Sequence, residues 1–199
     1  MRFGVLPLLV LLLAGCATRV LPPVSVYTLP ADPGSLTAAT ADVGKQRKPA
    51  LKLASIQGAR PFLTTRMLYT EAGLAQNSFA YSRWSDSPVA LLQFLLIEAL
   101  NRSGMFQAVL PPGSSLRGNL VLEGTLLDFS LHTRGDQAEG VMKIRFLLLD
   151  QDERRVVASK LFYAAIPVEA PSPGNTAMAL QQAAQQVAQQ LVVWLDKHI

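Results

Sequence analysis

Side chains able to act as nucleophiles, metal ligands or proton carriers are few in this 199-residue chain: one cysteine, Cys16, and two histidines, His132 and His198. Cys16 directly follows the small residues Ala14-Gly15, which leave the backbone open to a peptidase and present the thiol for covalent modification. Asp128 and His132 lie four apart, and on a strand that spacing sets both on one face. A polar acid–base pair is one reading of them, and a solvated strand edge is the simpler one. Asp150 and Asp152 stand where a turn favours acidic residues. The sequence contains no HExxH helix, no GxSxG elbow, no glycine-rich phosphate loop and no spaced carboxylate cluster. No catalytic group, no metal site and no cofactor is therefore expected.

The chemistry of Cys16 depends on what precedes it. Arg2 is followed by the apolar run Val5-Leu6-Pro7-Leu8-Leu9-Val10-Leu11-Leu12-Leu13 and then by Ala14-Gly15, the order of a signal peptide over residues 1–15. The run falls short of the roughly 20 apolar residues that span a bilayer. An ordinary secretory signal, with Cys16 only a small residue near the cut, is the alternative. As the single cysteine of a chain bound for an oxidising compartment, Cys16 has no disulfide partner within the chain, and its free thiol would be a liability. A thioether to lipid removes that liability. The tetrad Leu13-Ala14-Gly15-Cys16 resembles the lipobox of bacterial lipoproteins. The resemblance implies a covalent diacylglycerol on the thiol and an N-acyl lipid on the new amine, more than the two signals that stable anchoring takes. Ala17 stands where an aspartate retains lipoproteins of enteric bacteria in the inner membrane, so the resemblance implies the periplasmic face of the outer membrane.

The remaining residues suffice for one buried core. A net charge of +4 with no basic run excludes a nucleic-acid binder of the usual kind. Residues 16–23 read as a lipidated tether and residues 24–199 as one domain. Residues 30–49, rich in Ala, Thr, Gly, Asp and Pro, read as extended chain. Short strands are predicted over residues 24–29, 51–56, 66–69, 78–81 and 105–110. Asp86 or Ser87 caps a helix with Pro88 in its first turn and a nearly all-apolar, largely buried body over residues 89–100.

Along residues 118–133 the alternation of Leu120, Leu122, Gly124 and Leu126 breaks at Leu126-Leu127, which predicts a bulge. Residues 141–150 set Met142, Ile144, Phe146 and Leu148 on one face, and after a turn at residues 151–155 a strand returns over residues 156–168. The closing helix, residues 176–197, carries the stripe Ala177, Leu180, Ala184, Val187, Leu191 and Trp194. The expected fold class is α+β: an antiparallel sheet with two main helices packed on one face.

These elements carry a resemblance to a known family. Tyr27-Thr28-Leu29 near the anchor, Met67-Leu68-Tyr69, Tyr81 with Arg83-Trp84 ahead of the Pro88 helix, Leu100-Asn101-Arg102-Ser103-Gly104-Met105-Phe106 and the closing Trp194-Leu195 follow in the order seen in ABC-type transport auxiliary lipoproteins, the PqiC-like subunits of membrane-integrity transporters. Ser85 stands where the family pattern has alanine. The resemblance implies a non-catalytic partner of an MCE-domain protein, sitting at the outer-membrane end of a lipid transport system, in a homo-oligomeric ring. Tyr69, Tyr81, Arg83 and Trp84 are the candidate partner-contact residues, because aromatics and arginine dominate interface hot spots, although Tyr81 and Trp84 could instead cap the core. Apolar residues over 59–63 and around Leu74 could line a lipid path or belong to the core. An adaptor for a secretion pore or a cell-wall synthase is the alternative function, and a periplasmic hydrolase would need a polar site built on Asp128 or His132.

Overall fold

The computed structural model describes residues 21–30 and 48–199. Cys16, the signal peptide and most of the extended segment 30–49 lie outside the described residues. In chain order the strands are β1 (Ser25–Tyr27), β2 (Leu51–Leu53), β3 (Gln57–Gly58), β4 (Arg66–Glu71), β5 (Ala75–Trp84), β6 (Val109–Leu110), β7 (Leu120–Arg134), β8 (Gln137–Asp150) and β9 (Arg155–Pro167). The α-helices are α1 (Pro88–Arg102) and α2 (Pro173–Asp196), and a 3-10 helix, Arg60–Leu63, separates β3 from β4.

Alternation becomes sheet where one face can be buried. Met142, Ile144, Phe146 and Leu148 of β8 are fully buried, while Arg145 between them is exposed. β7, β8 and β9 form an antiparallel meander with near-continuous pairing. The expected break is real: Leu126 pairs with Ile144 and Asp128 with Lys143, so Leu127 bulges out of the ladder and is 44% exposed.

The other edge of β7 corrects the antiparallel expectation. β2, β3 and β4 lie along it in succession, all parallel to it, in register with residues 120–122, 125–126 and 131–133. Together they make one interrupted strand with the 3-10 helix looped out of it. The chain between β4 and β7 contains the hairpin to β5 and then α1, and such a helical crossover returns the chain to run in the same direction. The sheet is therefore mixed, while the α+β class holds. β6 is shorter than the strand predicted over residues 105–110, and Phe106 makes only an isolated bridge to Lys48.

Both helices form where predicted. Pro88 and Pro173 occupy first turns, Ser172 Oγ accepts the Asn175 backbone N–H at 3.2 Å, and Gly104 after α1 has φ +64°, the left-handed value that ends helices. On α1, Leu91, Leu92, Leu95, Leu96, Ala99 and Leu100 are buried, but Phe94 is 64% exposed, so the burial is one-sided. The half-buried Gln93 uses its carbonyl oxygen to accept the Ile56 N–H at 3.0 Å, capping a backbone group between β2 and β3.

On α2 the predicted stripe is the buried face, widened by Ala179, Ala183, Ala188 and Leu195. Its alanines let the helix lie close to the sheet. A Cβ built on Gly140 of β8 would stand 2.7 Å from the Ala179 Cβ, so this glycine is set by close approach. Gly140→Val should lower stability by roughly 1–3 kcal/mol through overpacking. Gly113→Ala, where nothing lies within 4 Å, should leave it unchanged. Urea denaturation of the two variants checks this, and equal midpoints would refute it.

Candidate functional site

The candidate contact residues sit on β4 and β5, and the structure separates them. Trp84 is 1% exposed, its ring centroid 5.5 Å from that of Phe129, and its indole N–H has no acceptor. It is a core residue, as the alternative reading of the sequence had it, and offers no surface to a partner. Tyr69 is half-buried against Phe79, with ring centroids 5.1 Å apart. Tyr81, 42% exposed, and Arg83 both face solvent. The four residues thus do not form one patch, and the accessible pair is Tyr81 and Arg83.

That pair lies beside the N-terminal strand. β1 pairs parallel with β5, setting Val26 opposite Arg83, and Val26 is 53% exposed. The Ser85 N–H donates to the Tyr27 carbonyl at 2.6 Å, and Leu29 is buried in the core. The N-terminal segment is therefore fastened to the same sheet edge that presents Tyr81 and Arg83.

A second feature, a cleft of about 590 Å³, lies between the 3-10 helix and the β4–β5 hairpin. Arg60 and Thr64 line one side, and Arg66, Gln76, Asn77 and Ser78 the other, with Pro61 and Leu68 contributing carbon surface. Arg66 also stands directly opposite Arg83 in the β4–β5 ladder. Sequence reasoning missed this cleft, because its lining residues come from the 3-10 helix and the β4–β5 hairpin, which only tertiary packing brings together. The segment 59–63, read as a possible lipid path, splits: Phe62 is a core residue and Leu63 is exposed. Leu74, at the hairpin tip, is 94% exposed.

The polar pair on β7 also forms. His132 Nε2 lies 2.7 Å from Asp128 Oδ2, and the Ser130 hydroxyl donates to Asp128 Oδ1 at 2.6 Å. The carboxylate sits between the other two groups. A hydrolytic triad needs the imidazole in the middle, taking the serine proton, so this arrangement activates no nucleophile. It supplies the fully buried Ser130 with an acceptor. Among the described residues no group of three or more His, Cys, Asp or Glu side chains could hold a metal ion, and no helix is long and apolar enough to cross a membrane.

The α+β domain thus presents an accessible strand edge with Tyr81 and Arg83 and a cleft lined by Arg60 and Arg66. The chain belongs to the ABC-type transport auxiliary lipoprotein component family, whose model matches residues 27–192. Members are auxiliary and non-catalytic, so this is a membrane-anchored lipoprotein serving an ABC-type transporter and not an enzyme.

Solved structures share the fold. A DUF330-family protein from Xanthomonas campestris is 24% identical with a TM-score of 0.68, covering 73% of this chain and 82% of its own. An uncharacterized protein at 14% identity has a TM-score of 0.67 over 87% of this chain and 99% of its own. A hypothetical protein of Chlamydia trachomatis, 9% identical, has a TM-score of 0.51 over 76% and 98%. No curated protein matches the chain.

The placements give distinct expectations for neighbouring residues. Trp84→Ala should cost about 3–5 kcal/mol, as large-to-small core changes do. Tyr81→Ala should stay within about 0.5–1 kcal/mol, as surface substitutions do. Chemical denaturation reads both, and a Tyr81→Ala loss equal to that of Trp84→Ala would mean that Tyr81 is a core group.

Proposed function

We propose that this lipoprotein docks the periplasmic conduit of an MCE-type ABC lipid transport system against the outer membrane, in support of phospholipid traffic and membrane integrity. The lipid on Cys16 holds it to the periplasmic face of that membrane, and it works with no cofactor beyond this lipid. Its partner is the MCE-domain protein, and several copies in a homo-oligomeric ring would present the contact surface around the mouth of the conduit. Energy comes from the ATPase elsewhere in the system, consistent with the non-catalytic character of the family.

The observation that carries this reading is the position of Tyr81 and Arg83, exposed on the strand that pairs with β1. Because the tether runs directly into β1, this edge is where an anchored domain and a partner reaching the membrane would meet. Tyrosine and arginine combine large contact area with directional hydrogen bonding, and they are enriched among residues that dominate protein interfaces.

A crosslinked pull-down from cell envelopes tests the reading. Wild type should recover an MCE-domain protein, Tyr81→Ala/Arg83→Ala should lose most of it while remaining folded, and Cys16→Ala should lose it together with membrane attachment. Recovery of secretion or cell-wall synthase components in place of the MCE protein would transfer the chain to an adaptor role.

A further inference from the structure

The Arg60–Arg66 cleft is not used by the docking surface, and its charges are unbalanced. Among the described residues no carboxylate pairs with Arg60, Arg66 or Arg83. Asp128, on the strand beside β4, is engaged by Ser130 and His132. Arg66 and Arg83 are direct cross-strand partners, and like charges so placed destabilise a sheet. Two guanidiniums on one cleft, with no carboxylate paired to either, leave it with an uncompensated positive charge suited to an anion.

The rest of the lining says which anion. Ser78, Gln76 and Asn77 offer neutral hydrogen-bond donors beside the two guanidiniums, while the Thr64 hydroxyl already donates to the Pro61 carbonyl at 3.0 Å. Planar guanidinium forks with hydroxyl and amide donors suit the tetrahedral, multiply accepting oxygens of phosphate. A volume of about 590 Å³ suits a small molecule better than a peptide segment, and Pro61 and Leu68 provide carbon surface beside the polar groups. We propose that this cleft is a phosphate-binding site, and that the phosphate it takes is that of a glycerophospholipid headgroup. The choice of a lipid-borne over a free phosphate rests on the transport reading above; the site itself rests on Arg60, Arg66 and the cleft.

Calorimetric titration of the full mature protein tests this with four probes: inorganic phosphate, glycerophosphoethanolamine, short-chain phosphatidylethanolamine below its micellar concentration, and the matching phosphate-free diacylglycerol. The phospholipid and glycerophosphoethanolamine should bind saturably, and the diacylglycerol should not. Arg60→Gln and Arg66→Gln should each weaken binding by about tenfold or more, as loss of a charge-assisted hydrogen bond does. Arg145→Gln, exposed on β8, should change nothing.

Inorganic phosphate binding as tightly as the phospholipid, with the same arginine dependence, would overturn the lipid source and leave a free-phosphate site. Absence of saturable binding by every phosphate probe, or binding indifferent to Arg60→Gln and Arg66→Gln, would overturn the site. Loss of a captured protein in those two variants without any phosphate binding would do so as well and assign the arginines to an acidic protein partner. The Tyr81→Ala/Arg83→Ala pull-down leaves Arg60 and Arg66 intact, so failure of the docking reading is separable from failure of this one.

Discussion

A strand of 15 residues at the middle of a sheet exposes backbone donors and acceptors on both edges, and every one that is buried must find a partner. In this protein the requirement falls on β7. β8 satisfies one edge along nearly its whole length, broken only at the Leu127 bulge, and three short segments, β2, β3 and β4, share the other. Where those segments part from the ladder, other groups take over: the Ala54 N–H donates to the Leu122 carbonyl, and the Ile56 N–H donates to Gln93 on α1. The interrupted edge is also what creates the surface chemistry, because the 3-10 helix looped out between β3 and β4 forms one wall of the arginine cleft.

Packing then fixes which face is which. α2 covers β7, β8 and β9 with alanines and leucines, brought close by Gly140, and Phe146, Phe162 and Trp194 stack edge to face beneath it. Burial of each large apolar side chain contributes about 1.5–3 kcal/mol, so this layer dominates the stability of the domain. With one face of the sheet committed to the helices, the other face of the meander mixes charged and apolar side chains, Arg145 and Lys143 standing opposite the exposed Leu161 and Tyr163. Lys48 fastens the far end, its Nζ reaching the Asp196 carboxylate and the Ile199 carbonyl at the C-terminus. The helix-covered meander is thus the most deeply buried part of the molecule, and the proposed contact surfaces lie on the strands beside it.

The division of labour fits an auxiliary lipoprotein of a transporter. Such a protein needs a fixed body, an attachment and a contact surface, with no transition state to stabilise. The Asp128, Ser130 and His132 trio shows the difference in chemical terms. It has the residue types of a hydrolase but places the carboxylate between hydroxyl and imidazole, which satisfies a buried hydroxyl and leaves nothing poised to attack.

Local pattern alone determined most of the elements. The period-2 apolar set of β8, the broken alternation at Leu126-Leu127 and the three-and-four spacing of α2 are properties of neighbouring residues, and each was readable because burial of one face forces a period. The tetrad Leu13-Ala14-Gly15-Cys16 is an equally local pattern, and its reading as a lipobox concerns residues outside those the structure describes. What the sequence could not supply was pairing between distant segments. The parallel run of β2, β3 and β4 along β7 depends on where α1 returns the chain, and strand alternation looks the same whichever direction the neighbour runs. The same limit governed the site: Trp84 and Arg83 are adjacent in sequence, yet the pleat of β5 sends one into the core and the other to solvent. Arg60 and Arg66 became a pair only when the loop between β3 and β4 folded against the hairpin, a juxtaposition set by tertiary packing that no spacing in the sequence encodes.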